Sequence, residues 1–164
     1  MILRLLFLFC STLYLSIPSV GQEMYQKQYS QSGNLMQEGW QRNDIKTGYW
    51  FTYYSNGTIS SQGAYQNGKK NGYWFFYDAS GRILKEGHYI DNKAEKWWII
   101  YDLVTNIPEM IVRKVQFKNN KKSGFCFLYK NNLLFKAEKY ENDHKIGEWT
   151  DVFSFKKDNP NASL

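Results

Sequence analysis

A single interval of 24 residues relates the glycine and aromatic positions of this chain. Four sets of residues share this interval: Gly33, Gly57 and Gly81; Gly39, Gly63 and Gly87; Trp50, Trp74 and Trp98; and Tyr53, Tyr77 and Tyr101. A fixed period of about 20 to 50 residues is typical of repeat proteins, in which one unit is copied and each copy packs on the next. The chain is therefore expected to fold as an array of similar units.

The second unit indicates the structure that each copy forms. Asn67-Gly68 separates two short runs, and Asn-Gly is a strong hairpin signal because both residues tolerate the positive φ of a type I′ turn. Asn56-Gly57 marks the turn on the other side. Residues 73–77 are all aromatic, which suits a strand packed on both faces. Each unit is therefore predicted to be a β-hairpin, and the fold class to be all-β with about five tandem hairpins.

The last two units depart from the pattern. The fourth, residues 101–129, is longer, and residues 103–108 replace its glycine turn. The fifth, residues 129–153, has a shorter opening turn, and in the third unit Lys96 stands where other units carry glycine. Decay toward the C terminus is expected of a capping unit, because its outer side meets solvent.

The first 21 residues have the composition of a secretory signal peptide. Arg4 precedes an apolar run, and the small residues Ser19 and Gly21 stand before Gln22, as at a cleavage site. The run is shorter than the roughly 20 residues of a spanning helix, so retention as an anchor is the less favoured alternative. Export and cleavage near Gly21 are expected. The expected divisions are a signal peptide at 1–21, a lead-in at 22–28, the repeat domain at 29–155 and a disordered tail at 156–164.

Cleavage of the leader removes Cys10 and leaves Cys126 as the only thiol, so no intramolecular disulfide is expected. Cys126 falls at the repeat position of Trp50, Trp74 and Trp98. This position favours a small apolar core residue over a reactive thiol. An intermolecular disulfide is the remaining alternative.

The positive charge of the chain is mild and dispersed, with a formal net charge of +6. Lys69-Lys70 and Lys121-Lys122 fall in predicted turns, where lysine is a common solvent-facing residue that protects strand edges. A nucleic-acid groove would need a denser basic stripe on one face, so nucleic acid is not an expected partner. Attraction to an anionic membrane surface is expected to be weak.

From Gly63 to Tyr77 the chain follows the pattern Gly-x-Tyr-x-Asn-Gly-Lys-Lys-x-Gly-x-Trp-x-x-Tyr, which resembles the variant MORN repeat of bacterial proteins, some of them labelled antitoxin-like. The resemblance covers about residues 29–153. It implies a stack of hairpins in one elongated, twisted antiparallel sheet, with a role in protein interaction or membrane association and not in catalysis. It also implies a bacterial envelope protein, periplasmic or extracellular. Export argues against an antitoxin role, because a cytosolic toxin could not be met there.

A second similarity is to cell-wall choline-binding repeats, which bind their ligand between aromatic side chains of adjacent hairpins. Their period is shorter, and only Gly39-Trp40 matches their Gly-Trp opening. A cell-wall glycan-binding module is therefore the alternative function. Independently of that family, regularly spaced exposed rings can stack on the C–H faces of sugars.

Alternation along the second strand of each unit places aromatic residues on both faces. Trp50, Trp74, Trp98 and Trp149 are expected on one face as core. In a single-layer sheet the opposite aromatic face must meet solvent or a partner, and such a patch usually marks a binding site. Structural packing is the alternative for each ring. The candidate binding residues are Tyr49, Phe51, Tyr53, Tyr73, Phe75, Tyr77, Trp97 and Tyr101.

Potential catalytic and metal-binding residues lack the arrangement that such sites require. His88 and His144 have no His or Cys neighbours at ligand spacing, and no glycine-rich phosphate loop precedes a helix. Carboxylates such as Glu38 and Glu86 are expected at turns and strand ends, where they favour solubility. We therefore expect no cofactor, no metal and no catalytic residue. The expected function is that of an exported, non-enzymatic scaffold that binds a protein or an envelope component.

Overall fold

The structure is a computed structural model that describes residues 21–103 and 110–163. The expected signal peptide and most of the insertion at residues 103–108 lie outside the described residues. The described part forms eleven strands and one helix. They are β1 Glu23–Tyr29, β2 Leu35–Arg42, β3 Ile45–Tyr53, β4 Ile59–Gln66, β5 Lys69–Tyr77, β6 Ile83–Ile90, β7 Lys93–Leu103, β8 Met110–Lys118, β9 Lys121–Lys130, β10 Leu133–Glu141, β11 His144–Trp149 and α1 Val152–Asp158.

All eleven strands lie in one open, twisted sheet, in the order of the sequence. Each strand pairs antiparallel with the next, from β1 to β11. Five successive hairpins, β2–β3 to β10–β11, follow β1. The predicted all-β fold of tandem hairpins is confirmed.

Turn residues with positive φ connect the two strands of each hairpin. Asn67 and Gly68 have φ angles of 51° and 75°, as a type I′ turn requires. Asn and Asp residues adopt this conformation in the other hairpins, because their short polar side chains tolerate it. The amide of Gly68 also donates to the carbonyl oxygen of Lys46 at 2.9 Å. Each such bond ties a hairpin turn to the preceding hairpin.

The turn at Asn56-Gly57 is longer than the expected type I′ turn. Only Gly57 of this pair has positive φ, at 84°, and its amide donates to the carbonyl oxygen of Tyr54 at 3.0 Å. The amide of Tyr54 in turn donates to the carbonyl oxygen of Thr58 at 2.9 Å. Asn56 acts through its side chain, whose oxygen accepts from the amide of Thr58 at 3.0 Å.

A β-bulge in each of the first three hairpins lets a tryptophan pack over the neighbouring strand. The cross-strand pairs are Gly39 with Trp50, Gly63 with Trp74 and Gly87 with Trp98. A Cβ added at Gly63 would lie 2.3 Å from the ring of Trp74, so only glycine leaves room for the indole. The three tryptophans are 1–3% exposed, which confirms their prediction as core.

The two sides of the sheet are distinct. Face A carries Trp50, Trp74 and Trp98, and its cross-strand row continues through Val115 and Cys126. Cys126 is 2% exposed, which confirms it as a buried residue in the tryptophan position. Face B is the opposite side and carries the residues that precede and follow each tryptophan.

The C-terminal segment is helical where the sequence predicted disorder. Residues 156–158 belong to α1. Asp151 caps the helix, since its side chain accepts from the amide of Ser154 at 2.7 Å. Phe155 is buried against the sheet, and this burial favours an ordered helix over a free tail.

Trp149 lies on face B, and its predicted place in the tryptophan column of face A is wrong. It pairs with Ala137, whereas Glu148 occupies the row of Cys126. The bulge in the last hairpin contains one extra residue, Ile146, where earlier bulges contain two. The alternation of side chains after this bulge is therefore inverted.

The predicted lead-in at residues 22–28 forms most of β1. Tyr25 and Tyr29 precede Tyr49 and Tyr53 by the repeat interval, so β1 is equivalent to β3. The repeat therefore begins one strand earlier than the sequence suggested.

Candidate functional site

All eight predicted binding residues lie on face B. They occupy equivalent positions of β3, β5 and β7, one repeat apart. The structure thus brings them together on one side of the sheet. They form three rows: Tyr49, Tyr73 and Trp97; Phe51 and Phe75; and Tyr53, Tyr77 and Tyr101.

Aromatic rings on these strands contact each other along the strand. The ring centroids of Tyr49 and Phe51 are 5.2 Å apart, and those of Tyr73 and Phe75 are 5.0 Å apart, both edge-to-face. Such contacts stabilise the rings beyond simple burial. Tyr49 is 41% exposed and its equivalent Tyr25 is 43% exposed. The N-terminal part of face B therefore presents aromatic surface to solvent.

A row of polar side chains separates the aromatic strands. It consists of Glu38 on β2, Gln62 on β4 and Glu86 on β6, which are one repeat interval apart. Each lies within its strand, so the expectation that Glu38 and Glu86 lie at turns or strand ends is wrong. Cross-strand pairing places Gln62 between Phe51 and Phe75.

Tyrosine hydroxyls hold this polar row in place. The hydroxyl of Tyr53 donates to Glu38 at 2.5 Å, that of Tyr101 donates to Glu86 at 2.8 Å, and Gln62 Nε2 donates to the hydroxyl of Tyr77 at 2.6 Å. Burial, followed by the hydrogen bond to Glu86 and its negative charge, raises the pKa of Tyr101 to about 12. The hydroxyl of Tyr101 is therefore a stable donor at neutral pH.

Glu38 also forms an ion pair with a lysine of β1. The distance from Lys27 Nζ to Glu38 Oε2 is 3.2 Å. The hydrogen bond from Tyr53 is the largest cause of a lowered pKa at Glu38, and Lys27 lowers it further. Phe75 occupies the repeat position of Lys27 next to Glu86. Two equivalent carboxylates therefore differ in their neighbours.

The helix α1 covers face B at the C-terminal end of the sheet. The ring of Phe155 is fully buried and meets Phe125, Phe127 and Trp149 edge-on, with centroids 5.4–5.6 Å apart. Trp97, one of the predicted binding residues, stacks on Phe127 at 5.6 Å. Trp97 therefore contributes to packing within the chain.

The polar row changes where the helix covers it. Lys114 and then Ala137 continue the row of Glu86 across the sheet. Ala137 is buried in one cluster with Phe127 and Phe155. The methyl group of alanine leaves space for an aromatic ring that a glutamate would fill. Helix α1 of the same chain therefore covers face B at the strand where alanine replaces the polar residue.

Lysine side chains cover the tryptophans of face A. Lys46 Nζ lies 4.1 Å from the ring centroid of Trp50, and Lys70 Nζ lies 4.5 Å from that of Trp74. Burial lowers the pKa of both lysines, and a neighbouring lysine lowers each further. The lysine stems and ammonium groups thus screen the rings from solvent. Among the residues that the structure describes, no lysine covers Tyr25 and Tyr49 of face B in this way, and both rings are exposed.

Residues 21–103 and 110–163 contain no group of three or more His, Cys, Asp or Glu side chains that could hold a metal ion. They also contain no helix that is long and apolar enough to cross a membrane. No family model matches the chain, and no curated protein matches it. The geometry of face B is therefore the basis for a functional proposal.

Sequence reasoning missed the polar row and Phe155. The repeat interval that joins Glu38, Gln62 and Glu86 is the signal that could have revealed the row. The same interval identifies Tyr25 as the equivalent of Tyr49. Phe155 lies beyond the last unit, where the repeat gives no signal.

Proposed function

We propose that this chain is an exported, non-enzymatic scaffold that binds a partner protein on the open part of face B, over strands β1 to β6. The observation that carries the proposal is the contrast between the two ends of this face. At one end α1 covers the aromatic rings, and at the other Tyr25, Trp40 and Tyr49 are 41–44% exposed. A contiguous exposed aromatic patch usually marks an interaction site.

The contact between α1 and the sheet supports a protein as the partner. In this contact a protein segment lies on face B through one buried ring, Phe155, against Phe125 at 5.4 Å. Protein interfaces use aromatic anchors in the same way. The rings of the earlier units offer the same kind of contact to a segment of another protein.

Export is proposed from the leader at residues 1–21, and a scaffold role from the repeats. The motif from Gly63 to Tyr77 resembles the variant MORN repeat, which would be consistent with an envelope protein that mediates interactions. A long single sheet suits this role because it presents a broad face. The open part of face B consists mainly of aromatic rings. In each unit one tyrosine hydroxyl is hydrogen-bonded to one Glu or Gln side chain, and this fixes the ring in a position suited to binding.

Capture with matched variants tests the proposal. The chain, with its leader and a C-terminal tag, is crosslinked in its source cells, and the bound protein and bound glycan are both quantified. The double variant Tyr25→Ala/Tyr49→Ala is compared with Phe153→Ala, which removes an 81% exposed ring from α1. We expect one protein at constant ratio with the wild type and with Phe153→Ala. The double variant should lower its recovery about tenfold or more.

The outcomes separate the proposal from its alternatives. Equal recovery with all variants would overturn it, provided that thermal unfolding confirms that each variant is folded. Retention of cell-wall sugar without a stoichiometric protein would favour the glycan-binding alternative. That alternative is supported by exposed tyrosine rings beside Glu and Gln side chains, which can stack on and hydrogen-bond to sugars. A glycan site should fail on loss of Tyr49 alone, whereas a broad protein interface should tolerate that loss.

A further inference from the structure

Glu86 lacks the cation that its equivalent Glu38 has. Lys27 lies 3.2 Å from Glu38, but the corresponding position next to Glu86 is Phe75. Among residues 21–103 and 110–163, no Lys, Arg or His forms an ion pair with Glu86. The carboxylate is thus oriented by tyrosine without a counter-charge from the described chain.

Aromatic and aliphatic side chains surround Glu86. Phe75 and Ile99 are its direct cross-strand neighbours on β5 and β7. The hydroxyl of Tyr101 donates to it at 2.8 Å. Burial, with a hydrogen bond to Glu86, raises the pKa of Tyr73 to about 12. These side chains would contact the stem of a long basic side chain and offer π faces to its charge.

The lysine, glutamate and histidine side chains near Glu86 make contacts with other groups. Lys114 lies two strands away, and its Nζ is 5.3 Å from the ring centroid of Trp97. Glu95 accepts a hydrogen bond from the amide of Asn119 at 2.8 Å. His88 packs its ring against Tyr73 with centroids 4.9 Å apart. Glu86 is therefore the group of this cluster that is left for an external cation.

From these contacts we infer that Glu86 binds a lysine or arginine side chain of the partner protein, in the place that Lys27 takes on Glu38. The inference rests on the proposed function, because it assigns the chemistry of the partner held on face B. The partner segment should combine an apolar surface for Tyr49 and Phe75 with a basic side chain for Glu86.

The distribution of charge between the two faces supports a basic segment. Over β2 to β6, face B carries the carboxylates Glu38 and Glu86, and its cations Arg42 and Lys69 are paired with Glu23 and Asp91. Face A carries lysines over its aromatic rings: Lys46, Lys70 and Lys85. A basic segment is therefore repelled by the excess positive charge of face A and meets no such excess on face B, which favours its approach to face B.

A defined peptide tests the inference without knowledge of the partner. The probe is an octapeptide of alternating lysine and threonine with blocked ends, and its control contains norleucine for lysine. Titration into the chain is followed by NMR at the Glu86 carboxyl carbon and the Tyr101 ring. We expect the lysine peptide to shift both signals and the norleucine peptide to shift neither. Glu86→Gln should weaken binding at least about tenfold, through loss of a charge-assisted hydrogen bond.

Two further variants, Lys27→Ala and Phe75→Lys, serve as controls for Glu86→Gln. Glutamine is the natural residue at the equivalent Gln62, so Glu86→Gln should keep the fold. Lys27→Ala should free Glu38 and add a second site for the lysine peptide. Phe75→Lys should place an internal cation on Glu86, as Lys27 does on Glu38, and block the original site.

Failure of the inference and failure of the proposed function give different results. Equal affinity of the wild type and Glu86→Gln for the lysine peptide, or no binding to the wild type, would overturn the inference. If Glu86→Gln captures the partner normally while Tyr25→Ala/Tyr49→Ala does not, the inference falls and the scaffold proposal stands. Equal recovery of the partner by the wild type and by Tyr25→Ala/Tyr49→Ala would overturn the scaffold proposal itself.

Discussion

The ring of Trp74 lies across the backbone of Gly63, and its Nε1 donates beyond the glycine to the carbonyl oxygen of Ala64 at 3.1 Å. The bulge between Gly63 and Ala64 shifts the ladder at this point, and the indole supplies a hydrogen bond there. Trp50 and Trp98 repeat the arrangement in the neighbouring hairpins. A single-layer sheet can therefore bury a tryptophan where the adjacent strand has a glycine, because no side chain occupies the space of the ring.

Gly63→Ala should destabilise the fold by about 1–3 kcal/mol, the usual range for overpacking. The new methyl carbon would lie 2.3 Å from the ring of Trp74, and one of the two must move. Urea unfolding measures the effect. Gln66→Ala, an exposed change at the end of the same strand, should stay within about 0.5 kcal/mol of the wild type. Equal stability of the two variants would contradict the role given to glycine.

Lys96→Gly should stabilise the chain by about 1 kcal/mol, because a lysine here adopts a backbone conformation that suits glycine. Its φ is 63°, close to the 60° of the equivalent Gly48. Lys93→Gly is the control, since Lys93 has ordinary strand geometry and glycine there should cost about 0.5–1 kcal/mol. Changes of opposite sign in the free energy of unfolding would support the assignment, and changes of the same sign would refute it.

These positions show why the fold could be predicted from the sequence. Asn67-Gly68 specifies a two-residue turn, and the interval between Gly63 and Trp74 fixes which residues meet across the hairpin. Both signals are local and recur in each unit. Trp149 was misplaced because one missing bulge residue inverts the alternation of a strand, and the period does not record bulge size. The helix α1 escaped prediction because it depends on a tertiary contact of Phe155.

The candidate site was predicted only in part: its aromatic residues were identified, and its polar residues were not. Tyr49 and Tyr73 were identified because rings on a thin sheet must face something. The sequence did not indicate Glu86 as a site residue, because a charged residue in a strand interior is stable only with partners that the sequence does not display. One such partner, the hydroxyl of Tyr101, lies 15 residues away on the other strand of the same hairpin.

The thiol of Cys126 should be unreactive in the folded chain. Burial is the main cause that raises its pKa to about 11, so very little thiolate forms at pH 8. A chromogenic disulfide reagent should label Cys126 only as fast as the chain unfolds, and at once in concentrated urea. Rapid labelling of the native chain, or a disulfide-linked dimer on non-reducing gels, would instead favour the alternative of an intermolecular disulfide.

Phe155→Ala should release α1 from face B and destabilise the chain by about 3–5 kcal/mol, because it removes a fully buried ring. The emission of Trp97 and Trp149, which pack in the same cluster, should shift to longer wavelength as solvent enters. Phe153→Ala removes the same side chain from an exposed position of α1 and should change neither stability nor emission. If both variants behave alike, the helix does not close this end of the face. The contrast between a covered and an open end, on which the scaffold proposal depends, would then be lost.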